Sequence, residues 1–396
     1  MHTVKDVLYG TAFRKIDVDN VLDPDSPSWV RFDPVLGYVP DDIAMKDGEG
    51  SRSSIYTFEP TGERKIVNGA GQPCRINTYG DSFTMCQQVS DGETWQEYLA
   101  SHLGEPIRNF GNGGYSVYVA YRRALRMEAT ECSGEYVILG IYDDDHIRSL
   151  DAARWIRTEW PRRNRRSDGP RPMHGLPWAH VRYDLEKGRF VEKDGICTTP
   201  DDLRALCDPE CYYETFKDDQ IARIFTLRTG GHVDKVDDLQ ALAEAFGVEV
   251  DLTDPDRRAA DAARLHLTYG LKSTEFILDE MRVWAEAQRK KLMILLFYAD
   301  SEIPKLIRDN WRLDETLVDY LNRNNVPYVD VLRKHAIDYA SMSFSYDDYI
   351  ARYYVKAAGA AVFGHYSAVG NFFAAMNIKD EVVAWLDPKP PTYRGG

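Results

Sequence analysis

The sequence predicts an α/β protein built on a mostly parallel, doubly wound sheet. Three observations lead there. From Ile76 onward, short β-patterned runs alternate with helix-patterned ones. The run Leu292-Met293-Ile294-Leu295-Leu296-Phe297-Tyr298 is apolar without a period-two break, as in a strand buried on both faces. Between about 151 and 270 the alternation is interrupted by a stretch too long for an ordinary connection, and then it resumes.

Taken in order, residues 1–74 precede the core and carry scattered aromatics (Trp29, Phe32, Tyr38, Tyr56, Phe58). The strand-like pair 54–59 and 65–68, with Gly62 and Glu63 between, reads as a hairpin, so this part is expected to be a small β-containing extension. A strand at 75–79 precedes a helix at 93–103, for which Asp91 is a plausible cap. A strand at 106–110 runs through a glycine turn into a helix at 117–128, and a strand at 136–142 ends in three aspartates. After the buried run at 291–298 come a helix at 314–324, a strand at 328–331, and helix-like runs at 349–360 and 371–385. The domain reading is an extension 1–74, a core of 75–150 with 271–396, and an insertion or lid 151–270 that carries substrate specificity. The insertion contains a hairpin-like stretch at 178–192 and helices near 200–208 and 236–246.

At 396 residues with 43% hydrophobic and 28% charged side chains, the chain can bury a large core and reads as an ordinary globular protein. A net charge of −14 argues against a general nucleic-acid or membrane-surface binder. The start, Met1-His2-Thr3-Val4-Lys5-Asp6-Val7, lacks the apolar run of a signal peptide, and no stretch reaches membrane-spanning length, so a cytoplasmic protein is expected. None of the six cysteines forms a Cys-x-x-Cys pair or a zinc pattern, so packed, reduced thiols and no metal site are expected; Cys86 reads as a core residue. Arg162, Arg163, Arg165 and Arg166 fit a solvated loop better than an anion site.

The chemistry centres on Ile76-Asn77-Thr78-Tyr79-Gly80-Asp81-Ser82-Phe83-Thr84-Met85. Gly80 permits a tight turn at a strand's carboxyl end, where open α/β sheets place ligand sites. Ser82 then falls near a helix start, either as an N-cap or as a nucleophile beside free backbone N–H groups. A base for it is available in Gly364-His365-Tyr366-Ser367-Ala368-Val369-Gly370-Asn371.

With these two blocks, Asn109-Phe110-Gly111-Asn112-Gly113-Gly114 and the strand ending in Asp143-Asp144-Asp145, the chain resembles the SGNH (GDSL-type) hydrolase family over 75–150 and 290–387. The resemblance implies a flavodoxin-like three-layer α/β/α sandwich, Ser82 as nucleophile, His365 as base, Gly114 as oxyanion donor with Asn112 assisting, and no cofactor. Two positions depart from the family. Its acid, three residues before the histidine, is Val362 here, leaving Asp347, Asp348 or a backbone carbonyl to orient His365. Its oxyanion asparagine falls on Tyr142 or, preferably, Asp144, which would have to be protonated to donate. The aspartates could instead hold a cation, or be a solvated cluster. His146 and Arg148 are expected at the cleft rim. The implied function is hydrolysis of a carboxylic ester, on a small molecule or an O-acetylated carbohydrate. The alternatives are an acyltransferase, a lyase-like variant, or a binding protein that has lost turnover; the oligomeric state is open.

Overall fold

The computed structural model describes residues 1–164, 169–171, 173–355 and 364–388. Five apolar runs pair in parallel: β1 (Ile76–Tyr79), β2 (Ile107–Asn109), β3 (Tyr136–Tyr142), β4 (Lys291–Phe297) and β5 (Tyr328–Asp330). Their spatial order is β2-β1-β3-β4-β5. β3 and β4 match residue for residue from Tyr136↔Lys291 to Tyr142↔Phe297, and every residue of β3 is buried, which explains why both runs are apolar throughout their interior. The strand order reverses between β1 and β3, so a crevice opens beyond their carboxyl ends.

The helices of this unit include α1 (Ser82–Met85), α2 (Trp95–Leu103), α3 (Val117–Met127), α4 (Asp145–Arg148), α5 (Arg258–Ala287), α6 (Glu315–Arg323), α7 (Val331–Ala340), α8 (Tyr346–Tyr353) and α9 (Ala368–Trp385), and a further helix, Glu302–Asp309, packs on α7. α2, α7 and α9 pack as one group against the sheet, and α3, α5 and α6 as another. Local chemistry sets their starts. Ser116 accepts from Val119 N at 3.0 Å to cap α3, and Thr94, not the expected Asp91, accepts from Glu97 N at 3.2 Å to cap α2. Asp91 is instead engaged by Arg64 Nε at 3.0 Å.

The flanking parts differ from expectation. The chain opens with two helices, Val4–Thr11 and Lys15–Leu22, before two short hairpins, Val30–Asp33 with Gly37–Pro40 and Ile43–Met45 with Ser54–Tyr56. The hairpin expected from 54–59 and 65–68 shrinks to a bridge between Phe58 and Arg64. After that turn the Arg64 N–H donates to Asn109 O at 2.8 Å, tying the chain to the edge of β2 instead.

In the insertion, the hairpin His180–Asp184 with Arg189–Lys193 and the helices Pro200–Ala205 and Asp237–Ala245 lie where predicted, joined by Pro209–Phe216 and Gln220–Arg228. The thirty-residue α5 runs unbroken through 270/271, so a domain limit drawn there falls inside one helix. Val7, Leu8 and Phe13 share an apolar core with Trp155, Trp160, Tyr212, Phe216 and Phe225, and this core reaches Met85 and Tyr115. Extension and insertion therefore bury each other, next to the crevice. No described helix is long and apolar enough to cross a membrane. All six thiols are free. Of the predicted helix 349–360, α8 ends at Tyr353, and 356–360 lie outside the described residues, as do Arg165 and Arg166.

Candidate active site

β1 ends against a turn that only glycine accommodates. Gly80 has φ +153°, and a Cβ there would sit 2.2 Å from Thr84 Oγ1 and 2.6 Å from Gly140 O. Asp81 caps α1, accepting from Phe83 N at 2.9 Å. Ser82 is thus the first residue of the helix, buried, with its Oγ donating to Asp81 Oδ2 at 3.2 Å. Burial pushes the Asp81 carboxyl up, against the pull of Arg148.

The aspartates after β3 divide into separate roles. Asp145 closes the strand end by accepting from Tyr142 N at 3.0 Å. Asp144, expected to be a protonated donor, is an acceptor: Arg148 Nε donates to it at 2.8 Å and Arg157 Nη1 at 3.4 Å. Burial would raise its carboxyl, but the Arg157 and Arg148 cations outweigh that and hold it well below the usual range, so it is ionised and cannot donate to an oxyanion. Asp143 accepts from Ala299 N at 3.2 Å, and burial pushes it up to about 7. Arg148 ties the group together, donating also to Asp145 Oδ1 at 2.6 Å, Asp81 Oδ2 at 3.4 Å and Tyr115 O at 3.2 Å. His146, expected at the rim, is buried, with its Nδ1 2.9 Å from Thr274 Oγ1 on α5. The reason is the close approach of α5 to α4 at Gly270, where a Cβ would lie 2.9 Å from Ile147 N.

The glycine turn lies beside β1. Asn112 N donates to Gly80 O at 3.1 Å, and Tyr115 N returns to Asn112 O at 3.2 Å. The Asn112 side chain is fully buried, and neither Oδ1 nor Nδ2 has a hydrogen-bond partner among the described residues. An amide left unpaired in the interior is costly and is what a bound polar group would satisfy. Gly114 has φ +81°, and a Cβ there would lie 2.2 Å from Arg154 Nη1. That guanidinium donates to Gly114 O and His174 O, both at 3.3 Å, while burial and the Arg148 cation pull it down to about 10.

His365 arrives from the far end of the chain. Its ring packs 5.4 Å from that of Phe83, the residue after Ser82, at a tilt of 54°. Gln88 Oε1 accepts from both the His365 backbone N–H at 2.7 Å and the ring Nδ1 at 3.1 Å. Because the backbone N–H can only donate, the Gln88 atom is the oxygen, and Nδ1 must carry the ring proton. Burial and the Arg148 cation pull the imidazole down to about 3, so it is neutral near pH 7, with its lone pair on Nε2. Among the described residues no hydrogen bond joins His365 to Ser82. Asp347 and Asp348 do not supply the acid by hydrogen bond: both are exposed at the start of α8, where Asp348 accepts from Ser345 Oγ at 2.6 Å. Val362 lies outside the described residues.

Sequence reasoning missed Gln88, Arg154 and Arg157. Only Arg148 left a signal, its i+4 spacing from Asp144 on a short helix.

No protein-family model and no curated protein matches the sequence. Among solved structures, the chain is similar to a member of the lipolytic protein G-D-S-L family from Veillonella parvula DSM 2008. That match has 13% identity and a TM-score of 0.34, and covers 78% of this chain and 97% of the other. It is also similar to a protein described as a putative acylhydrolase, from Bacteroides fragilis NCTC 9343, at 12% identity and a TM-score of 0.32, covering 81% of this chain and 91% of that one.

Proposed function

We propose that the chain is an SGNH-type serine esterase that hydrolyses a carboxylic ester of a small molecule or carbohydrate. The observation that carries this reading is the packing of His365 against the Ser82 turn in its Nδ1–H tautomer. Ser82 Oγ attacks the acyl carbon while its proton passes to His365 Nε2. The backbone N–H groups of Ser82 and Gly114 stabilise the tetrahedral oxyanion, and the free amide of Asn112 supplies a further donor. His365 then protonates the leaving alkoxide. Water, deprotonated by the same nitrogen, frees the acid and regenerates Ser82. The Ser82 hydroxyl turns from Asp81 to the base when substrate enters, as catalytic hydrogen bonds often tighten only in the complex.

A fluorophosphonate probe tests the reading. Wild type should be labelled, Ser82→Ala should not, and His365→Ala should label at least about 10²-fold more slowly. Equal labelling of wild type and Ser82→Ala, or of neither, would overturn it. The bond from Ser82 to Asp81 favours one other reading, a binding protein whose serine is structural, and that outcome would support it.

A further inference from the structure

We infer that Gln88 is the positioning residue that orients His365 in place of a carboxylate, and that the N-terminal extension builds it. The inference rests on the esterase reading for its catalytic meaning, but the geometry is independent of it. A triad's third member must accept the Nδ1 proton and lock the ring. Gln88 Oε1 does both, gripping the ring at 3.1 Å and the backbone of the same residue at 2.7 Å. Gln88 is itself buried, so water does not compete for that oxygen. An amide is neutral. It fixes the tautomer without the charge that would draw a proton onto the imidazole, in keeping with the depressed ring of His365.

The segment that presents Gln88 is strained and clamped. Cys86 at φ 60° and Gln88 at φ 72° are both non-glycine residues in the left-handed region, within three positions of each other. Such conformations persist only where the surroundings impose them, and they gather at functional sites. Here the surroundings come from the extension. Arg64 Nη1 donates to Met85 O at 2.7 Å and Cys86 O at 2.8 Å, and its Nη2 donates to Val89 O at 2.6 Å. The Tyr56 hydroxyl accepts from Gln88 N at 2.6 Å and donates to Asp47 Oδ2 at 2.6 Å. Two side chains that precede the sheet domain thus hold the backbone on both sides of the turn, with the Gln88 amide aimed at His365.

The test compares Gln88→Leu and Gln88→Glu by fluorophosphonate labelling and by the ring ¹⁵N shifts of His365 in the full chain. Gln88→Leu should label at least about 10-fold more slowly, and its His365 ring should become a mixture of tautomers, whereas wild type shows Nδ1 protonated. Gln88→Glu, which can accept the same two N–H groups, should restore the tautomer and most of the rate. It should also raise the pH at which His365 protonates by more than one unit. Wild-type labelling with an unmixed ring in Gln88→Leu, or an unmoved His365 titration in Gln88→Glu, overturns the inference. The Glu variant decides the matter by itself if the Leu variant does not fold. If no form of the protein labels while the ring still responds to both substitutions, the esterase reading falls and the positioning role stands.

Discussion

At the scale of single residues, the site is set by atoms that glycine leaves out and by an amide nobody answers. Gly80 was legible from the turn that Gly-Asp-Ser requires and Gly114 from the family resemblance, and both have positive φ. The two should respond differently to alanine. At Gly80 the new Cβ meets a backbone carbonyl at 2.6 Å, so Gly80→Ala should lose about 1–3 kcal/mol in a urea titration. At Gly114 the nearest atom is the end of the Arg154 side chain, so stability should fall less. Probe labelling should still drop by about 10²-fold if its N–H is an oxyanion donor. Asp144 was misjudged because protonation depends on which cations surround it. Arg157 lies thirteen positions away, on a separate turn of chain, and nothing local indicates that it folds back.

At the scale of elements, the strands of the sheet were readable and the loop that matters was not. β3 and β4 are apolar because both their faces are covered, which leaves a pattern along the chain. The 86–91 segment leaves none. Its left-handed residues are a cysteine and a glutamine, neither of which marks such a conformation, and its hydrogen bonds are answered by Arg64. Removing that buried cation should disorder the turn more than it harms the sheet. Arg64→Leu should cost about 3–5 kcal/mol by thermal or urea unfolding, since it takes the cation from Asp91 and a donor from four carbonyls. Labelling at Ser82 should fall with it, and unchanged labelling would detach the extension from the site.

At the scale of the whole molecule, burial of neutral histidines contributes to how the fold answers acid, beside the ion-paired carboxylates. His335 is the cleanest case. It is enclosed by Tyr349 and Tyr366, which hydrogen-bond its two ring nitrogens at 2.9 and 2.8 Å, and stacks on Phe373 at 4.3 Å. Burial alone pulls it down to about 3. Unfolded, the ring takes up a proton near pH 6.5, so the unfolded chain binds more protons between about 3 and 6.5. The stability this neutral ring contributes is therefore complete above about pH 6.5 and is lost as pH falls toward 3. Compared with His335→Gln, wild type should lose its advantage across that window by up to about 1.4 kcal/mol per pH unit, read from urea midpoints. A pH-independent difference would mean that the ring is charged or solvated in the native state.

The order of the candidate groups along the chain could be read directly: a serine after a strand-end glycine, a glycine turn, acids after the third strand, a histidine near the end. Strand period and glycine placement are properties of neighbouring residues, so they survive in one dimension. Which groups answer which is another matter. That Gln88 rather than Asp347 or Asp348 holds His365, that Arg148 and Arg157 keep Asp144 ionised, and that residues 1–29 and the insertion share one core all depend on partners far apart in sequence. An apolar helix face or a buried carboxylate is satisfied equally well by many partners, and only the packing of the whole chain selects one.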